Sequence, residues 1–224
     1  MSQNFATLIG VDLLPEKIED QIQEVIQMAL PASCSIFVRN RKKNWSGSGF
    51  HIGGGLVVTA SHVAPPELGL GGDINITFDS KIFFPCSVVK SDPSIDSAIL
   101  KIEGDYSNIQ TVSLADSDAI EVGEMVSVIG SPEGWHDTVT VGRVSNMHQY
   151  MPESPSPAWL DVIFVDAKIL QGVSGGMCVG TDGLVIGSVI GVTGVLAEYG
   201  VGENVLCPAN KINNLVKSIQ NTQK

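Results

Sequence analysis

Charge is scarce in this 224-residue chain, and positive charge scarcest: 17% of residues are charged, and 13 Lys and Arg stand against 24 Asp and Glu, a formal net charge of −11. A surface that binds phosphates needs clustered cations, so this balance argues against a nucleic-acid partner. Acidic substrates are repelled at long range, an effect that salt weakens. Long hydrophobic runs are missing too: none approaches the roughly 18–20 apolar residues that cross a bilayer, and no membrane partner is expected. Met1 to Thr7 hold neither Lys nor Arg and lead into no apolar stretch with a small-residue cleavage site. No secretory leader is therefore read, and a cytoplasmic location is expected. Cysteine is limited to Cys34, Cys86, Cys178 and Cys207, with no C-x-x-C spacing. That spacing argues against structural zinc, and four reduced, mostly buried thiols are expected. No metal or other cofactor is called for. What is present is apolar bulk: 43% hydrophobic residues and a mean hydropathy of +0.21 suffice for one sizeable all-β domain.

Chemistry concentrates in three segments. Gly172-Val173-Ser174-Gly175-Gly176 follows a strand-like run, Val162 to Val165. Glycines on both sides of a serine let the backbone bend sharply, so that the hydroxyl is exposed and nearby N–H groups converge. A nucleophile with an oxyanion hole needs that geometry, although Gly and Ser also build ordinary turns. Upstream, two strand-like runs separated by Gly53-Gly54-Gly55 lead into Thr59-Ala60-Ser61-His62. A serine nucleophile needs a nearby base, and an imidazole fixed on rigid backbone is the usual one. Asp96, at the mouth of the apolar run Ala98 to Ile102, supplies an acid to hold the imidazole tautomer. Asp92 competes for that role, but Asp92-Pro93 has the composition of a turn. His51, His136 and His148 are expected to be ordinary hydrogen-bonded histidines.

The order His62, Asp96, Ser174 and the flanks of each residue resemble the chymotrypsin-like serine peptidases. Thr59-Ala60-Ser61-His62, Asp96-Ser97-Ala98-Ile99-Leu100-Lys101 and Gly172-Val173-Ser174-Gly175-Gly176 are similar to the family's histidine, acid and serine motifs. Within that superfamily the chain most resembles the HtrA (Deg) proteases, through Val122 to Pro132, Thr138 to Ser145 and Gly183 to Gly187. The resemblance runs from about residue 31 to about residue 217. It implies an all-β fold of two six-stranded antiparallel barrels and a serine endopeptidase whose catalytic residues are His62, Asp96 and Ser174. The oxyanion hole would be formed by the N–H groups of Gly172 and Ser174. Implied partners are a protein or peptide substrate, with homo-oligomerisation or a regulatory protein as the family's means of control. The PDZ module that follows the catalytic domain in many HtrA proteins is not found in this sequence.

Expected organisation is an N-terminal helical extension over 1–30 and a protease domain over 31–224, with barrels at about 31–105 and 118–210. Ile18, Ile22, Val25, Ile26 and Ala29 recur at helical spacing within Leu14 to Leu30, and Pro31 ends that helix. A short helix is expected after Pro208, with Ile212, Leu215, Val216 and Ile219 on one face. Arg39 to Asn44, with four of the thirteen basic residues, is expected at a solvated hairpin tip. The proline-rich loop from Tyr150 to Trp159 is a candidate substrate gate.

Two departures from the digestive enzymes bear on control and specificity. The residue before the serine is Val173, not an aspartate able to pair with a freed N-terminus, so activation through that salt bridge is unavailable. Six residues before Ser174 stands Lys168, which disfavours substrates with Arg or Lys before the scissile bond. Lys168, Ile169 and Leu170, with Ser188, Val189, Ile190 and Val192, are the expected substrate-binding walls, suited to small or medium aliphatic residues. A lysine turned into the pocket would instead select acidic ones.

Overall fold

A computed structural model describes residues 16–40, 43–70, 73–131, 138–150, 160–168, 171–196 and 201–222. Helix α1 (Glu16–Ala29) is followed by a single 3-10 turn over Leu30–Ala32. Six strands then close the first barrel: β1 (Ser33–Arg39), β2 (Asn44–His51), β3 (Leu56–Thr59), β4 (Asp73–Thr77), β5 (Phe84–Asp92) and β6 (Ser97–Ile102), in spatial order β1-β2-β3-β6-β5-β4. The second barrel is built from β7 (Met125–Gly130), β8 (Thr138–Tyr150), β9 (Leu160–Val165), β10 (Met177–Gly180), β11 (Val185–Leu196) and β12 (Val201–Pro208), in the order β10-β11-β12-β9-β8-β7. All pairings between these strands are antiparallel, giving the chymotrypsin-like architecture. Helix α2 (Ala209–Thr222) ends the described chain.

Period-two geometry turns Cys34, Ile36 and Val38 of β1 into the first barrel, where they meet Val57 of β3, Ile74 and Ile76 of β4 and Leu100 of β6. The second barrel is filled by Val126, Val128, Ile163, Val165, Ile186 and Leu206. A third cluster belongs to neither barrel alone. Phe50, Val58 and Ile99 from the first pack with Ile129, Val162 and Val205 from the second, together with Val25 and Ala29 of α1 and Ile212 and Leu215 of α2.

The connector between the barrels is tied to both. Val112 donates its N–H to the His51 carbonyl, and Ser113 and Ala115 bond to Val185. The terminal helices cross over as well. Although α1 precedes the first barrel, Ile22 and Val25 lie against Met125, Val126 and Val179, and Gln21 Nε2 donates to the Thr181 carbonyl of the second. In the opposite sense α2 leaves the second barrel and reaches β5, where Lys90 Nζ donates to Ser218 Oγ at 2.9 Å.

The hairpin carrying the basic cluster turns at Asn40, whose Oδ1 accepts the Lys43 N–H, and Lys43 Nζ lies 5.1 Å from the centre of the Trp45 ring. Arg41, Lys42 and the loop over 151–159 lie outside the described residues. All four cysteines are free, three buried and Cys86 half-buried. Burial raises every thiol, Cys86 and Cys207 to about 12.

Candidate active site

His62 stands one turn beyond the end of β3. The N–H groups of Val63 and Ala64 both donate to the Ala60 carbonyl, closing that turn, and Trp45 Nε1 holds it from the far side through the Val63 carbonyl at 2.9 Å. The imidazole is left about half exposed, at 49%. Strand β3 pairs with β6, Thr59 opposite Ala98, so the residue two before Ala98 arrives beside the histidine turn. That residue is Asp96. It adopts a left-handed backbone, φ 48°, at the end of a turn in which Asp92 Oδ1 accepts from the N–H and hydroxyl of Ser94. Asp92 is the last residue of β5, its carboxylate engaged by the turn that follows.

The Asp96 carboxylate holds the histidine turn at three points. Oδ2 lies 2.8 Å from His62 Nδ1, and Oδ1 accepts the His62 N–H at 3.0 Å and the Ser61 hydroxyl at 2.8 Å. Burial alone would raise this carboxyl. The hydrogen bond and charge of His62, joined by Ser61 and the His62 N–H, outweigh burial and hold it below the ordinary carboxylate value. An ionised acid on Nδ1 keeps the proton there and leaves Nε2 as the basic nitrogen.

The serine turn comes from the other barrel and is fixed on every side. Gly176 donates to the Val173 carbonyl, Gly175 to the Val189 carbonyl of β11, and Val189 to the Gly176 carbonyl. From the first barrel, the Ser48 N–H donates to the Ser174 carbonyl at 2.8 Å. Gly175 has φ 85°, and a Cβ there would collide with the Ser48 carbonyl, with Thr59 Oγ1 and with Ala60 N. Only glycine fits both that conformation and that approach. At Gly47 a Cβ would lie 2.6 Å from Val63 Cγ2 and 3.2 Å from the Ser174 carbonyl, so one bare Cα separates the serine segment from the residue after His62. Ser174 is half-buried, and no hydrogen bond joins its Oγ to His62. Such contacts are often loose without substrate and tighten when it binds. Among the described residues, the N–H groups of Gly172 and Ser174 donate to no backbone carbonyl.

The Val173 side chain is buried, 3% exposed, in the core of the second barrel. Its Cγ1 is packed so closely that a Cβ on Gly130 would lie 2.9 Å away. An apolar plug thus stands where the digestive enzymes have a carboxylate.

The residues expected to line a specificity pocket differ widely in exposure. Lys168 is exposed, and Ile169 and Leu170 lie outside the described residues. Ser188 is fully buried, Val189 and Ile190 belong to core clusters, and Val192 is half-buried. His51 is a core histidine: Nδ1 faces the Gln110 carbonyl at 3.0 Å and Nε2 accepts the Gly55 N–H at 3.2 Å. Burial lowers its pKa. His136 lies outside the described residues, as does the side chain of His148. Ser61 and Ser48 escaped the sequence reading, and a hydroxyl directly before the motif histidine was the one signal available for Ser61.

These two converging turns, on two barrels of this topology, define a trypsin-like peptidase domain. The family model for the trypsin-like peptidase domain matches residues 47–187, and the chain belongs to that family. Within it the relatives are HtrA proteases. A probable periplasmic serine endoprotease, DegP-like, of Pseudomonas putida (strain W619) is 35% identical over 150 residues, which cover 66% of this chain and 29% of the relative. The protein of that name from Chlamydia pneumoniae is 30% identical over 174 residues, 77% of this chain and 34% of the relative. Among solved structures, the HtrA-type protease AlgW with tripeptide superposes with a TM-score of 0.76 at 26% identity, covering 88% of this chain and 63% of that one. For Deg5 the TM-score is 0.73 at 28% identity, covering 90% and 94%. The chain spans about a third or less of the length of the curated relatives it matches. Their names correct one expectation: they are described as periplasmic, which overturns the cytoplasmic location expected from the first residues. Those few residues were too little to decide it, because the matched region is a minor part of each relative.

Proposed function

We propose that the domain cleaves protein or peptide substrates as a serine endopeptidase, through an acyl-enzyme formed on Ser174. The observation that carries the proposal is the three-point hold of Asp96 on the His62 turn, with the Ser174 turn seated against it across one glycine. In this reading His62 Nε2 takes the Ser174 proton as Oγ attacks the scissile carbonyl, then returns it to the leaving amine, a contribution of about 10²–10⁴-fold. Asp96 fixes the tautomer and stabilises the imidazolium. The N–H groups of Gly172 and Ser174 receive the oxyanion, each donor worth about 3–4 kcal/mol in the transition state. Water activated by the same imidazole then releases the acyl group.

Covalent labelling by a fluorophosphonate tests this assignment: the parent labels and Ser174→Ala does not. Labelling that survives the substitution refutes it. For specificity we propose small or medium aliphatic residues before the scissile bond, supported by the half-buried, apolar Val192 and by the exposed cation of Lys168, which disfavours Arg or Lys there. A peptide library decides, and cleavage mainly after Arg or Lys overturns that preference. A second reading, a latent enzyme or inactive protease-fold binding protein whose activity depends on a partner, draws on the missing hydrogen bond between Ser174 and His62. Turnover by the isolated chain excludes it.

A further inference from the structure

Ser48 lies on β2 of the first barrel, fully buried, and 124 residues before Gly172 of the serine turn. All its polar groups except the carbonyl are spent on the second barrel. The N–H donates to the Ser174 carbonyl, the hydroxyl donates to the Gly172 carbonyl at 2.8 Å, and the same oxygen accepts the Ser131 N–H at 2.8 Å. The Ser48 carbonyl in turn accepts the Thr59 hydroxyl at 2.7 Å, which ties this residue to the strand that delivers His62. One side chain thus bridges the end of β7 and the first residue of the serine turn. Its backbone holds the nucleophile residue itself.

The peptide plane between Gly172 and Val173 has a carbonyl at one edge and the Val173 N–H at the other, so anchoring the carbonyl fixes which way the plane faces. Gly172, at φ 95°, is a residue whose plane would otherwise turn at little cost. Packing leaves no slack around the anchor, since a Cβ on Gly130 would lie 2.9 Å from Ser48 Oγ. We propose that Ser48 is a positioning residue for the oxyanion turn: its hydroxyl fixes the Gly172–Val173 peptide, the plane that stands between the Gly172 N–H and the Ser174 N–H, and so sets the frame from which both donors reach the substrate carbonyl. The inference rests on the catalytic reading of Ser174.

The test is Ser48→Ala, which removes the hydroxyl and keeps the backbone bond to Ser174. Active sites are titrated with a fluorophosphonate, so turnover is expressed per competent serine. The expected result is a kcat lower by about 10–100-fold, short of the full loss of an oxyanion donor, with KM little changed. Affinity for a tetrahedral peptide boronate should fall by the same factor as kcat/KM. Ser48→Thr, which restores a hydroxyl, should recover part of kcat. Ser48→Cys, close in volume and a weak donor, serves if the alanine variant does not fold, and should show the same kcat defect in smaller measure. A merely structural role would lower stability or the titratable fraction while leaving kcat per site and boronate affinity at the parent values, and that result overturns the proposal. Persistent labelling in Ser174→Ala would instead overturn the underlying assignment, so the two failures are distinguishable.

Discussion

Replacing Asp96 by Asn separates holding the histidine turn from holding its tautomer. The amide keeps one oxygen where Asp96 Oδ1 accepts the Ser61 hydroxyl and the His62 N–H. An NH₂ group then faces His62 Nδ1 across 2.8 Å. Two donors cannot share that contact, so Nδ1 must become the acceptor and the ring proton moves to Nε2, the atom required as the base. The stability cost is the difference between charged and neutral hydrogen bonds at a mostly buried site, about 1–3 kcal/mol. The catalytic cost is far larger. A wrong tautomer lowers kcat by about 10⁴-fold, or about 5 kcal/mol of barrier. The assay is steady-state turnover of a peptide substrate normalised to folded protein by circular dichroism, with Asp92→Asn as the control. In that control the remaining oxygen still accepts from Ser94, and kcat should stay within about twofold of the parent. A folded Asp96→Asn enzyme within tenfold of the parent kcat would refute the tautomer argument.

Val173→Ala removes two buried methyl groups, about 1.6 kcal/mol of transfer energy, and a cavity term brings the loss to about 2–3 kcal/mol; the urea midpoint should fall with an unchanged slope, and an unmoved midpoint would show that the plug contributes nothing. His51 has a folded pKa below 6.5, so as pH falls through 6.5 the unfolded chain takes up a proton first. Stability should then decline toward the folded pKa by at most about 1.4 kcal/mol per pH unit. The depressed Asp96 carboxyl acts below about pH 4, outside that window. Urea midpoints at pH 7.5 and 5.5 should therefore differ more in the parent than in His51→Gln, and equal differences would contradict the assignment. Iodoacetamide at pH 8 should leave the native protein nearly unmodified, because burial holds the thiols protonated, and should modify four sites in urea; rapid native labelling would count against this.

Single strands such as Ser33–Arg39 and Ser97–Ile102 were legible as short apolar runs, but their closure into two barrels was legible only through the resemblance to the HtrA proteases. His62 and Asp96 were legible for a related reason: each sits at the end of one strand, and pairing of β3 with β6 brings them together without help from the second barrel. Ser48 was invisible, since its partners Gly172 and Ser131 stand 124 and 83 residues away and only the docking of one barrel on the other joins them. Val173 seemed an omission in the sequence, a missing carboxylate; burial turns it into an anchor. In the sequence His51 and His62 look alike, each standing close to the end of a strand-like run. Their contacts distinguish them, one with both nitrogens occupied in the core, the other exposed with a carboxylate behind it.

The crossing of the terminal helices has a mechanical consequence. Because α1 bonds to the second barrel and α2 reaches from the second barrel to the first, pulling the barrels apart would strip both helices from the third core cluster at once. Unfolding should be a single cooperative event in which the histidine turn and the serine turn are lost together, and no half-folded form with one intact barrel should accumulate.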